Sequence, residues 1–191
     1  MATSDVEVIN LGLQKLGAAR ITALSDDSTN AREAGACYVR LRDAELRRHN
    51  WNFARKRVTL APSAVDPDFD YDYAFPLPSD CLRLLPPAVN GFDWRIESHE
   101  GQSSILTNDG DSLEINYIFR VTDPTKFDAL FDEMLACRIA DHLCEKLTQS
   151  NTKADKAMKD YKTARAEARR INAFENISEE APEDPWLAAR R

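Results

Sequence analysis

Phe127, Phe131, Leu135, Ile139, Leu143 and Leu147 recur at every fourth position, and Leu130, Met134, Cys137 and Cys144 widen the same face. The period is helical, and the apolar arc is too broad for a helix with one side in water. Such a segment is stable only when other elements wrap it, so it predicts the centre of a helical bundle. Pro124, preceded by Asp123 as cap, predicts where this helix starts. Gln149-Ser150-Asn151-Thr152 ends it.

Three further helices carry their own signals. Ser4 with Glu7 makes a capping box, Val6, Ile9, Leu13 and Leu16 follow at helical spacing, and Gly17 suits the C′ position. Ile21 to Asp27 reads as a linker with Ile21 and Leu24 turned inward. Ser28 and Asn30 offer caps for a second helix running to about Asn50, with Ala34, Cys37, Tyr38, Leu41 and Ala44 as its apolar stripe. A last helix, from about Thr152 to Phe174, has few large apolar groups (Met158, Tyr161, Ile171) and many charges, and reads as mainly solvated.

Between the helices the period changes. Trp51, Phe53, Val58 and Leu60 alternate with polar residues, which is a strand pattern, and Trp51 and Phe53 are expected to anchor the core. Prolines then cluster at 62, 67, 76, 78, 86 and 87. Strand-like runs occupy Ala74–Leu77, Cys81–Leu85, Trp94–Glu97, Ser103–Thr107 and Ser112–Phe119. Asn108-Asp109-Gly110-Asp111 lies between the last two and signals a hairpin turn. The predicted fold is α+β: a four-helix bundle-like domain (1–50 and 124–174), interrupted by a small antiparallel β-domain (51–123), with an extended C-terminal arm (175–191). With 191 residues the chain can bury one good core, or one core with a smaller satellite.

The arm is acidic and proline-broken through Glu179-Glu180-Ala181-Pro182-Glu183-Asp184-Pro185, a composition that does not fold alone. It then presents Trp186-Leu187, an apolar pair with no local partner, which suits an anchor on another chain.

The net charge is −7, unevenly spread. Residues 40–57 carry seven basic and two acidic groups, and residues 151–172 carry seven and three. Residues 58–150 carry six basic against seventeen acidic groups. The overall balance argues against a stand-alone nucleic-acid binder, whose affinity rests on neutralising phosphates. No apolar run reaches bilayer length, and Met1-Ala2-Thr3-Ser4-Asp5 does not begin a signal peptide, so synthesis in a cytoplasm is expected.

Little in the chain suggests chemistry. Asp66, Asp68, Asp70 and Asp72 resemble a calcium loop, but Tyr71 and Leu77 stand where such a loop needs Gly and Glu. His49, His99 and His142 fall in separate segments, none at metal-ligand spacing with a cysteine or carboxylate. Cys37, Cys81, Cys137 and Cys144 form no C-x-x-C pair and are expected as buried free thiols. Nucleophile-elbow, P-loop and dinucleotide motifs are missing. The expectation is a protein that is not an enzyme and has no cofactor or metal.

Several segments, in order, resemble the tail tubular protein A family, the ring-forming head-to-tail adaptors of short-tailed bacteriophages. They are Val8–Gly17, Arg42–Leu60, Phe75-Pro76-Leu77-Pro78-Ser79-Asp80-Cys81-Leu82-Arg83-Leu84, Phe127–Ala140 and Tyr161–Arg169. The resemblance implies a helical bundle interrupted by a β-domain, a dodecameric ring under the phage portal, a distal tail or nozzle partner, and genome DNA passing through without sequence-specific binding. It implies location in the virion, with assembly in the host cytoplasm. On this reading Pro185, Trp186 and Leu187 contact the portal. Arg40, Arg42, Arg47, Arg48, Lys156, Lys162, Arg165 and Arg169 are the residues expected between subunits. An acidic lumen would keep DNA from sticking. The rival expectation is a DNA-binding component of phage packaging machinery.

Overall fold

The computed structural model describes residues 4–86 and 93–175. Pro185, Trp186, Leu187 and the rest of the arm beyond Glu175 lie outside the described residues.

Helix α1 (Asp5–Leu16) starts at Ser4, whose hydroxyl accepts from the Glu7 N–H at 3.3 Å, and stops at Gly17 in the left-handed region at φ 70°. The loop after it is held by a side chain that imitates a strand partner. Buried Asn10 donates to the Ile21 carbonyl at 2.9 Å and accepts from its N–H at 2.8 Å. Ile21 is thereby turned inward, whereas Leu24 stays 40% exposed, against the sequence expectation. Here the Ala23 and Thr22 N–H groups fold over the Asp26 carboxylate, which shapes the loop by polar contacts instead.

Helix α2 (Thr29–Arg48) is capped by Ser28. Its buried stripe runs Ala34, Cys37, Tyr38, Leu41, then Arg42, Glu45 and Leu46. Ala44, expected in the stripe, is exposed, because the helix turns Glu45 and Leu46 toward the core. Trp51 and Phe53 do not begin a strand; Asn52–Ala54 is a 3-10 turn. The apparent alternation came from a tight turn that sends both rings to the bundle, where Trp51, Phe53, Phe127 and Phe131 pack edge-on or tilted at 5.0–6.2 Å.

Among the described residues six strands follow: β1 (Arg55–Leu60), β2 (Tyr73–Pro76), β3 (Cys81–Leu84), β4 (Trp94–His99), β5 (Gln102–Thr107) and β6 (Leu113–Phe119). They form two antiparallel three-stranded sheets, ordered β1-β6-β3 and β2-β5-β4. Leu60, Leu113, Ile115 and Tyr117 of the first sheet meet Phe75 and Ile105 of the second in one apolar cluster, so the sheets pack face to face. The other face of β6 supplies Ile118 to the helical core. Neighbouring Tyr117 and Ile118 are both buried because one sheet and the bundle cover opposite faces of the same strand.

The hairpin expected at Asn108–Asp111 is absent. β5 and β6 belong to different sheets, and this turn carries the chain between them. The tight hairpin turn joins β4 to β5 through Glu100 and Gly101, at φ 49° and 76°, with His99 paired to Gln102.

Asp123 caps a 3-10 turn, Pro124–Lys126, and not the long helix. Helix α3 (Ala129–Thr148) starts one turn later, with Asp128 accepting from the Leu130 and Phe131 N–H groups at 2.8 and 3.3 Å. α3 is the bundle centre and packs against α1, α2 and the antiparallel α4 (Asn151–Phe174). Gln149, in the left-handed region at φ 49°, and Ser150 as the next cap make the turn between them. Among the described residues no helix is long and apolar enough to cross a membrane.

Candidate functional site

α4 is the element with most surface to offer. Of its 24 residues only Ala157, Tyr161, Ala168 and Asn172 are buried, a narrow strip along one face. Lys156, Lys159, Arg170 and Phe174 fall on a face turned away from that strip. Phe174 is 78% exposed.

The strip is fastened by polar groups at two places. At the far end Asn172 takes the Asn52 N–H on its Oδ1 at 2.9 Å and donates to the Asn50 carbonyl at 3.0 Å. Its Nδ2 also lies 3.2 Å from His49 Nε2. In the middle, the Tyr161 hydroxyl donates to Glu45 Oε1 at 2.7 Å. The same oxygen accepts from Arg48 at 2.7 Å, and Arg138 stands 3.6 Å away. The guanidinium groups of Arg138 and Arg165 lie over the Tyr161 ring at 5.1 and 5.6 Å. Burial first, and then the hydrogen bond to Glu45, push the Tyr161 phenol above its ordinary value.

These contacts sort the basic residues expected between subunits. Lys156, Lys162 and Arg169 are exposed on α4. Arg40 is exposed on α2, with its guanidinium 3.2 Å from His142 Nε2. Arg47 is exposed and donates to the Leu82 carbonyl. Arg42 is a correction: it is 4% exposed, bonded to Asp43 at 2.9 Å and stacked over Tyr38. Asp43 in turn takes Arg120 at 2.8 Å, so this trio ties α2 to the end of β6 and offers nothing to a neighbour. Arg48 and Arg165 serve the Tyr161 network, each with part of its side chain still reaching solvent.

Trp51 is 2% exposed, and its indole N–H donates to the Glu45 carbonyl at 2.9 Å; Phe53 is half-buried against the same core. Pattern reading missed Glu45 and Arg138, because a charged residue is assigned to solvent by default. The signal was present: Glu45 sits four residues after Leu41, in the run of the buried stripe.

Asp66, Asp68, Asp70 and Asp72 are all exposed, and among the described residues no group of His, Cys, Asp and Glu is arranged to hold a metal ion. Cys37, Cys137 and Cys144 are buried free thiols, while Cys81 is half-exposed. A groove of about 550 Å³ beside β3 is lined by both apolar groups and the arginines Arg47 and Arg83. Cys81 also lines it, but among the described residues the lining holds no His, Asp or Glu to serve as the base that acyl or phosphoryl transfer uses.

No protein-family model matches this sequence, and no curated protein matches it at a meaningful level.

Proposed function

We propose that this chain is the repeating subunit of a ring that joins a phage head to its tail, an adaptor of the tail tubular protein A kind. The observation that carries the reading is α4. A 24-residue helix held by one narrow strip, with a basic outer face ending in exposed Phe174, suits a lasting protein neighbour. The segments that resemble the family also coincide with the joints of the fold: the α2 end with Trp51 and β1, the β2–β3 connection, and the centre of α3.

In such a ring, Arg40, Arg47, Lys156, Lys162 and Arg169 face the acidic β-sandwich of the next copy, where opposite charges set orientation. Pro185, Trp186 and Leu187 reach the portal above, a distal tail or nozzle protein docks below, and the genome passes through. The work is mechanical, with no turnover.

Electron microscopy of the full chain mixed with its portal tests the reading. The expected image is a closed ring stacked on the portal, with no ring wall when Lys156, Lys162 and Arg169 are all reversed to Glu. A chain that stays monomeric beside portal overturns it. Sub-micromolar binding of duplex DNA at physiological salt also overturns it, and favours the packaging component instead.

A further inference from the structure

Arg47 and Arg83 stand at the mouth of the groove beside β3 without an acidic partner. Each guanidinium makes a bond to a neutral acceptor, Arg47 to the Leu82 carbonyl and Arg83 to Asn50 Oδ1. Neither pairs with a carboxylate among the described residues, and Arg83 Nε is buried with no acceptor at all. Burial and the neighbouring charge of Arg47 both work against the positive charge of Arg83. A pair of like charges on a half-buried wall is a costly arrangement that an anion relieves.

The groove has a shape as well as a charge. One wall is β3, an edge strand of its sheet, and the other is the β4–β5 hairpin. Leu82 and Ile96 line it, and Ile96 is 45% exposed. A fitting occupant is an extended segment with carboxylates for the arginines and an apolar residue for Ile96.

The chain itself carries such a segment, Glu179-Glu180-Ala181-Pro182-Glu183-Asp184-Pro185-Trp186-Leu187. Its starting point is beside the groove. Glu175 accepts from Asn52 Nδ2 at 3.1 Å, and Asn50, two residues before, holds Arg83. The eight residues from Glu175 to Glu183 can span roughly 26–29 Å when extended.

We propose that the acidic C-terminal segment docks in the Arg47–Arg83 groove of its own subunit, carboxylates on the guanidinium pair and Trp186-Leu187 against Ile96. The inference stands apart from the ring reading. If both hold, a portal must draw the segment out of the groove, which engages Trp186 and frees Arg47 for the next copy.

Half-exposed Cys81 lines the groove, and the other three cysteines are buried, so the protein contains its own reporter. In the full chain, Glu179→Cys, Glu180→Cys and Glu183→Cys are made one at a time and oxidised with diamide at low protein concentration. The expected result is a disulfide to Cys81 within one chain from at least one variant, lost with Cys81→Ser. Adding Arg47→Gln and Arg83→Gln should slow its formation about tenfold, as should raising salt from about 0.05 M to about 0.5 M. Circular dichroism of the double variant checks that it is folded. No Cys81 disulfide from any of the three positions overturns the proposal. A disulfide only between chains also overturns it, and assigns the groove to a neighbour's segment.

Discussion

Glu45 of α2 and Tyr161 of α4 meet over the top of α3, hydroxyl to carboxylate at 2.7 Å, with the carboxylate side chain 1% exposed. The two residues lie 116 positions apart in sequence. A buried carboxylate is stable only when it is paired, and here a phenol and two guanidinium groups converge on Oε1. The arrangement fixes how α4 sits on the bundle, so the basic face of α4 inherits its orientation from Glu45.

Removing the two partners should have unequal effects. Tyr161→Phe leaves Glu45 with Arg48 and Arg138 and should cost about 1–2 kcal/mol. Glu45→Ala removes the acceptor that Tyr161 and Arg48 share and leaves the phenol proton unpaired, while Arg138 keeps Asp141 at 2.7 Å, and should cost about 2–3 kcal/mol. Urea unfolding of both variants measures this. Equal midpoints for Glu45→Ala and the parent would mean the network does not hold α4.

Trp51 should be the costliest single truncation at the joint between bundle and sheet. It is 2% exposed, packs edge-on to Phe131 at 5.1 Å, and satisfies the Glu45 carbonyl. Trp51→Ala removes a large ring and leaves a cavity, for a loss of about 3–5 kcal/mol. Trp51→Phe keeps most of the packing and loses the hydrogen bond, so its thermal midpoint should fall between the two. An unchanged midpoint for Trp51→Ala would contradict the packing.

Stability should fall on the alkaline side. Burial, followed by a hydrogen bond to a carboxylate, raises the phenols of Tyr38 (to Asp5), Tyr117 (to Asp80) and Tyr161 (to Glu45) above the ordinary value of 10.0. Above pH 10 the unfolded chain releases these protons and the folded chain keeps them, so unfolding is favoured as pH rises. The stabilising contribution is full below pH 10 and is lost between there and the raised folded values. Tyr38 has the largest shift, so Tyr38→Phe should flatten the alkaline limb most in denaturant titrations from pH 8 to 11. An alkaline limb as steep as the parent's would count against this assignment.

The helices were legible in the sequence because their signals are local. Ser4, Gly17 and Ser28 act within one turn of where they stand. Pairing of the strands was not, because Asn108-Asp109-Gly110 makes a turn equally well within a sheet or between two. The hairpin turn in use, Glu100-Gly101, puts Glu at a positive φ that it seldom adopts, so composition concealed it. The surface was legible only in part. Arg40 and Arg42 look alike on paper, and only a partner 77 residues from Asp43, Arg120, reveals that the second belongs to the interior. Charges show which segments could meet a neighbour; long-range ion pairs decide which residues remain to do so.

Two glycines in helices should respond to alanine with opposite signs. In isolation, Gly→Ala inside a helix gains about 1 kcal/mol from reduced backbone freedom in the unfolded chain. Gly35 has room: an added Cβ meets only Leu24 Cδ2 at 3.9 Å, an ordinary contact. Gly35→Ala should therefore stabilise the protein by about 0.5–1 kcal/mol. Gly12 has none, because α1 crosses α3 there with the Ala136 carbonyl oxygen and Ile139 Cγ2 both 3.0 Å from the added carbon. A helix carbonyl moves only with its whole turn, so the two helices must separate. That strain, about 1–3 kcal/mol as in overpacked cores, exceeds or at least cancels the propensity gain. Thermal unfolding of the two single variants is the check, with a raised midpoint for Gly35→Ala and a lowered or unchanged one for Gly12→Ala. A Gly12→Ala protein more stable than the parent would show that α1 and α3 do not pack as closely as the backbone positions indicate.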